Sequence, residues 1–181
     1  AYIISNSAPT VIVHDELLAK LTQDALKLSE GKNTPVLLLK EFEEETLRAQ
    51  TFPEFRAEEK DPAMLIYTSG TTGFPKGAMI SHGGLFWNAV STSMRLNITQ
   101  HDCAVTFLPL FHTGGWNVLT TPFLQRGAKI ILIRKFDPEQ VLQLSQDHKA
   151  TLLFGVPTTM GLMARTPKFA EYNLSSIRYG I

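Results

Sequence analysis

The chain has 181 residues, which at ~150 residues per domain is room for one domain with a substantial core. Seventeen Lys and Arg balance seventeen Asp and Glu, so no net field gathers nucleic acid or anionic lipid, and 44% hydrophobic with 19% charged residues excludes disordered and collagen-like classes. Apolar runs such as 130–133 and 151–156 fall short of the ~20 residues of a membrane-spanning helix, no signal-peptide pattern precedes them, and a lone Cys103 supports neither an intrachain disulfide nor a cysteine zinc site. The expected compartment is the reducing cytoplasm, with attachment at a membrane periphery left open.

The first residue is not Met, and residues 177–181 read as a strand just beginning, so both ends are expected to be cut from a longer chain. Near the start, Val11 to Val13 is a β-branched run. Leu17, Leu18, Leu21, Ala25 and Leu28 follow at helical spacing, with Gly31 as a stop. Val36 to Leu39 is a second apolar run. Residues 41–60 are acidic, weakly periodic and interrupted by Pro53, and read as an exposed connection. Ala63 to Thr68 reads as a buried strand that enters a loop at 69–77. The next helix is expected over Gly84 to Met94, with Ser81 or Gly83 near its start. Apolar strands are expected at 104–107, 130–133 and 152–154. Before the last of these, Asp137 can cap a helix whose first residue is Pro138 and whose third is Gln140. Strands alternating with helices predict an α/β fold with a mostly parallel sheet flanked by helices.

Tyr67 to Gly77 reads Tyr-Thr-Ser-Gly-Thr-Thr-Gly-Phe-Pro-Lys-Gly, three glycines, four aliphatic hydroxyls and a lysine after a buried strand. Glycines let backbone N–H groups converge on an anion, hydroxyls donate further hydrogen bonds, and Lys76 adds a charge, so the loop suits polyphosphate. A Walker A loop fits poorly, because Pro75 stands where that motif has glycine and Gly77 where it has the magnesium-binding hydroxyl. A polar surface turn explains the composition alone equally well. The second constellation is Pro-Leu-Phe-His-Thr-Gly-Gly-Trp at 109–116. There His112 reads as a base, a ligand or an ordinary loop residue, with no second ligand at metal-binding spacing. The third is Phe154-Gly155-Val156-Pro157-Thr158, which a strand followed by a Pro-started helix also explains. His14, His82, His101 and His148 read as surface or capping residues, and Met160 and Met163 as core.

The order of the loop at 67–77, with the segments at 109–116 and 154–158, resembles the adenylate-forming superfamily of acyl-CoA synthetases, luciferases and peptide-synthetase adenylation domains. Within it, the likeness is to bacterial long-chain fatty acid–CoA ligases. It implies that 1–181 is part of the large N-terminal, ATP- and acyl-binding domain of an AMP-dependent synthetase, with the rest of that domain and a C-terminal domain outside the chain. It implies ATP, Mg2+ and CoA as co-substrates and a carboxylic acid, a fatty acid, as substrate; a homodimer is compatible with it. Thr68, Ser69, Gly70, Thr71, Thr72, Gly73, Lys76 and Gly77 would cradle the departing pyrophosphate, with Thr68 also touching magnesium. Phe111, His112, Gly114, Gly115, Trp116 and Val156 would face the acyl group, Trp116 as a plug of its tunnel. The alternatives are a nucleotide- or acyl-binding module without catalysis, or a piece with no binding function of its own.

Overall fold

The computed structural model describes residues 1–49, 54, 56–69 and 73–181. They fall into two units, Ala1–Ala57 with Tyr67–Ala78 and Glu58–Ile66 with Met79–Ile181.

In the first unit, α1 (Tyr2–Ser7) stops where Ala8 takes a left-handed φ of 44° and returns its N–H to the Ile4 carbonyl. Residues rich in β-branched and leucyl side chains make β1 (Ile12–His14) and β2 (Val36–Leu38), paired in parallel with Ile12 opposite Val36. The Asp15 carboxylate accepts from Leu18 N at 3.1 Å, starting a 3-10 turn that leads into α2 (Ala19–Lys27). The leucines at helical spacing form the expected helix but do not face a core. Leu17, Leu21 and Leu28 are 82%, 66% and 80% exposed, and Leu26 is the side chain of this helix that is buried. A two-stranded sheet of three-residue strands offers too little area to cover the stripe. Nor is Gly31 the helix stop: Leu28 is the C-cap, and Gly31 sits in a turn where a Cβ would lie 2.9 Å from Ile4 Cγ2. The expected connection over 41–60 begins as α3 (Leu39–Arg48), whose first turn is closed by Leu38 N donating to Glu41 Oε2 at 3.1 Å. Its run of Leu and Glu has high helix propensity, which outweighed its weak apolar period. Pro53 lies outside the described residues.

β3 (Pro62–Thr68) and β4 (Lys76–Ser81) form a two-stranded sheet. Ser81 caps α4 (His82–Leu96) by accepting from Gly84 N at 3.1 Å, and Asn97 closes it with φ 48°.

The second unit is built on β5 (Cys103–Thr106), buried at all four positions. With β6 (Lys129–Leu132), β7 (Leu152–Leu153) and β8 (Tyr179–Gly180) it makes a parallel sheet in the order β6-β5-β7-β8. Successive side chains leave opposite faces of a strand. Ala104 and Leu152 pack with Ile98, Leu119 and Phe123 on one face. Val105 and Leu153 pack with Val141, Leu142 and Met163 on the other. The first face is covered by α6 (Thr120–Arg126), itself packed on α4, with the short α5 (Thr113–Asn117) before it. The second is covered by α7 (Pro138–Asp147) and α8 (Pro157–Ala164). Asp137 Oδ1 accepts from Gln140 N at 2.8 Å, as the sequence predicts for α7.

One polar knot ties the sheet together. Arg178 donates through Nη2 to Asp102 Oδ2 at 2.9 Å and, through Nη1 and Nη2, to the carbonyls of Leu96 and Asn97 at 2.7 and 2.9 Å. Thr151 Oγ1 and Thr99 N donate to the same carboxylate at 2.6 and 2.7 Å. Burial raises the Asp102 pKa, but these hydrogen bonds and the Arg178 charge outweigh it and hold the carboxyl below its ordinary value.

Candidate functional site

The polyphosphate-type loop leaves β3 and returns as β4 in the first unit. Thr68 ends β3 and is exposed, as is Ser69 after it. Gly73 holds φ 93°, a conformation that side-chain-bearing residues rarely adopt, and a Cβ there would meet nothing within 4 Å. Its glycine is required by the backbone and not by crowding. Lys76 and Gly77 are not loop residues, as expected, but the first two residues of β4, both exposed. At Gly77 a Cβ would stand 3.1 Å from Tyr67 Cζ, and the Tyr67 hydroxyl donates to Asn6 Oδ1 at 2.7 Å. Phe74 lies against Tyr2, ring centroids 5.3 Å apart. The predicted Gly70, Thr71 and Thr72 lie outside the described residues. The described part is thus a turn whose shape glycine sets, with an exposed lysine at its exit and hydroxyls at its entry.

The acyl candidates belong to the second unit. His112 is the N-cap of α5; its carbonyl accepts from Gly115 N at 3.1 Å and Trp116 N at 3.2 Å, and its exposed ring lies 4.7 Å from that of Phe111. Gly114 and Gly115 line a cavity of about 10 Å³ with Val105, Thr106, Phe107, Leu108, Leu119 and Phe154. That is space for about one water. Gly115 is there for proximity: a Cβ there would lie 2.3 Å from Pro109 O and 2.7 Å from Leu108 O, whereas one at 114 would make only ordinary contact with Phe154 Cε1 at 3.5 Å. Gly155 is crowded by side chains, with Thr159 Oγ1 at 2.9 Å and Phe107 Cζ at 3.1 Å from its absent Cβ. Val156, exposed, is the N-cap of α8, whose first residue is Pro157. Trp116 is half-buried, and its indole Nε1 is buried with no hydrogen-bond partner.

The structure therefore gathers Gly114 and Gly115 with Phe107, Leu108 and Phe154, while Phe111, His112, Trp116 and Val156 do not line that cavity. Sequence reasoning did not identify Phe107, Leu108 or Phe154 as lining residues. Position at the carboxyl end of a buried strand, where ligand crevices open in parallel α/β sheets, is the signal that marks them. Among the described residues, no three His, Cys, Asp or Glu side chains converge as metal ligands, and no helix is long and apolar enough to cross a membrane.

The fold is similar to that of the ATP-bound MatB of Rhodopseudomonas palustris. That structure matches 99% of this chain and 36% of its own, at TM-score 0.84 and 29% identity. The chain belongs to the AMP-binding enzyme family, whose model matches residues 1–181. It is 40% identical over 118 residues to a feruloyl-CoA synthase of Amycolatopsis sp, covering 65% of this chain and 24% of that one. It is 42% identical over 117 residues to an indoleacetate–CoA ligase of Aromatoleum aromaticum, covering 65% and 23%. The chain thus spans about a quarter of the length of these curated relatives.

Proposed function

We propose that the chain is the ATP- and acid-binding part of an AMP-forming acid–CoA ligase, with 1–181 belonging to its N-terminal domain. The observation that carries this is the turn between β3 and β4, with Gly73 in a glycine conformation and Lys76 exposed at its exit, in a chain whose family is that of AMP-binding enzymes. In the reaction, a substrate carboxylate oxygen bonds to the α-phosphorus of ATP, and the bond from that phosphorus to the bridging oxygen breaks, releasing pyrophosphate. CoA thiolate then bonds to the acyl carbon and AMP departs. Thr68, Ser69, Gly73, Lys76 and Gly77, with Gly70, Thr71 and Thr72 from the same loop, would hold the leaving pyrophosphate. Their contribution would be positioning and stabilisation of its growing charge. Lys76 acts as a charge clamp; it is not a base.

The described residues do not fit a resident magnesium ion, since one exposed Thr68 hydroxyl is a poor cage for a hard dication. No step is assigned to such an ion. For the acid, the resemblance implied a fatty acid; relatives named for ferulate and indoleacetate, and the rings of Phe107 and Phe154 at the cavity, instead favour an aryl-substituted acid. A cytoplasmic location and a homodimer are part of the same proposal.

The test is calorimetric titration of pyrophosphate and ATP into the wild-type chain and into Lys76→Ala. Loss of a charge-assisted hydrogen bond of about 1.5 to 3 kcal/mol predicts about ten- to hundredfold weaker pyrophosphate binding. Equal affinity in two chains of equal thermal stability would remove Lys76, and the cradle with it, from the proposal.

A further inference from the structure

The carboxyl-terminal ends of α4 and α6 together line a groove of about 370 Å³ in the second unit. That is the size of a small-molecule site, roughly 300 to 1,000 Å³. α4 ends shortly before β5 begins, and α6 shortly before β6, so the groove lies at the amino ends of these strands. The acid cavity lies beyond their other end, beside Thr106 and Phe107. The four residues of β5, ~13 Å of strand, separate the two.

The polar side chains of the groove are Ser93, Asn97, Gln125 and Arg126, and each of them can donate a hydrogen bond. Arg126 Nε donates to Ile98 O at 3.0 Å, while its two terminal nitrogens have no partner among the described residues. Ser93 is 6% exposed, and its Oγ is buried without a partner, an exception to the usual pairing of buried polar atoms. Neither α4 nor α6 contains an Asp or Glu to neutralise the guanidinium. Helix carboxyl ends carry partial negative charge, which opposes an anion. Here that charge is blunted, because left-handed Asn97 and Gly127 close both helices, Ile98 N donating to Ser93 O and Ala128 N to Phe123 O, each at 2.9 Å. The rest of the lining, Val90, Met94 and Ile98, is apolar and contains no ring.

We propose that this groove is a second small-molecule site, which takes an aliphatic monocarboxylate with its head on the Arg126 guanidinium and its chain along Val90, Met94 and Ile98. A guanidinium presents paired N–H donors that match the two oxygens of a carboxylate. Binding through Nη1 and Nη2 leaves Nε on the Ile98 carbonyl. One cation balances one negative charge, so a phosphate dianion would be left half compensated. The site does not depend on the reading of the acid cavity, which shares none of its lining residues.

The experiment is proton–nitrogen correlation NMR of the full chain, titrated with octanoate, octan-1-ol, acetate and inorganic phosphate. Octanoate should give saturable shifts of the Ser93, Asn97, Gln125 and Arg126 amides, with an affinity at least about tenfold above that of the other three probes. Arg126→Met, which keeps an apolar stem, should weaken octanoate by about tenfold or more. Because that change also takes the donor from Ile98 O, a second variant is Met94→Glu, at a position 78% exposed, where a new carboxylate at the groove repels an anion without disturbing the core. It should weaken octanoate and leave octan-1-ol unchanged. Octan-1-ol binding as tightly as octanoate, phosphate binding more tightly, or octanoate affinity unchanged in both variants would each overturn the proposal. So would wild-type spectra in which those four amides show no saturable shift. Octanoate shifts confined to Gly114 and Gly115 would overturn it and leave the acid cavity standing.

Discussion

Replacing Asp102 by Asn keeps the shape of the side chain but removes the charge at the centre of the Arg178 knot. The carboxylate, with 7% of its side chain exposed, takes hydrogen bonds from Thr99, Thr151 and Arg178, the guanidinium being 33% exposed. Breaking a fully buried ion pair costs about 3 to 5 kcal/mol. Solvent at Arg178 screens part of this, and the Asn carbonyl still accepts one bond while its NH2 faces other donors, which brings the expected loss to about 2 to 3 kcal/mol. For a chain of this size that is a fall of roughly 5 to 10 °C in Tm. The pH dependence has a definite sign. Because the folded-state carboxyl titrates below its ordinary 3.8, its stabilisation is present above that pH and is lost as the pH falls through the depressed folded value. Urea unfolding at a series of pH values should therefore show a gap between wild type and Asp102→Asn that is constant above about pH 5 and narrows below about pH 4. A gap below about 0.5 kcal/mol at pH 7, or one of the same size at pH 3, would refute the account of the knot.

Gly115→Ala places its Cβ 2.3 Å from the Pro109 carbonyl oxygen, where backbone cannot yield cheaply, and should cost about 3 kcal/mol or more. Gly161→Ala, in the interior of α8 with nothing within 4 Å of its Cβ, should instead stabilise by about 0.5 to 1 kcal/mol, and thermal unfolding of the two variants checks the contrast. Cys103 is buried, and burial raises its thiol pKa against a small opposing effect of Lys129. A chromogenic disulfide reagent should react with it at least about a hundredfold more slowly in the native chain than in urea, and comparable rates would show the strand to be open.

The sequence by itself determined the elements whose causes are local. Asp137, Pro138 and Gln140 start a helix because the cap, the fixed φ and the accepted N–H all lie within four residues, and Ser81 does the same for α4. β5 and β7 were legible because strands buried on both faces are predominantly apolar. The turn between β3 and β4 was legible as a turn because Gly and Ser mark its ends, and Gly73 takes a positive φ there. The strands around α2 and the helix itself were legible, but the exposure of its leucines was not, since a periodic leucine stripe says that a face is apolar but not that anything covers it. β4 was hidden because Lys76 to Met79 are exposed along one strand and show no alternation.

Only the tertiary structure decided the rest. Arg178 and Asp102 stand 76 positions apart, and nothing in either neighbourhood announces the other. That Gly115 is indispensable and Gly161 is not depends on what stands within 3 Å of an atom that is not there. Trp116 has the same letter in the sequence whether its N–H is paired or not; its lack of an acceptor is a property of the packed corner between α5 and α6. Sequence patterns record what a segment prefers over a few residues, whereas packing, pairing and burial are set by groups that meet through the fold.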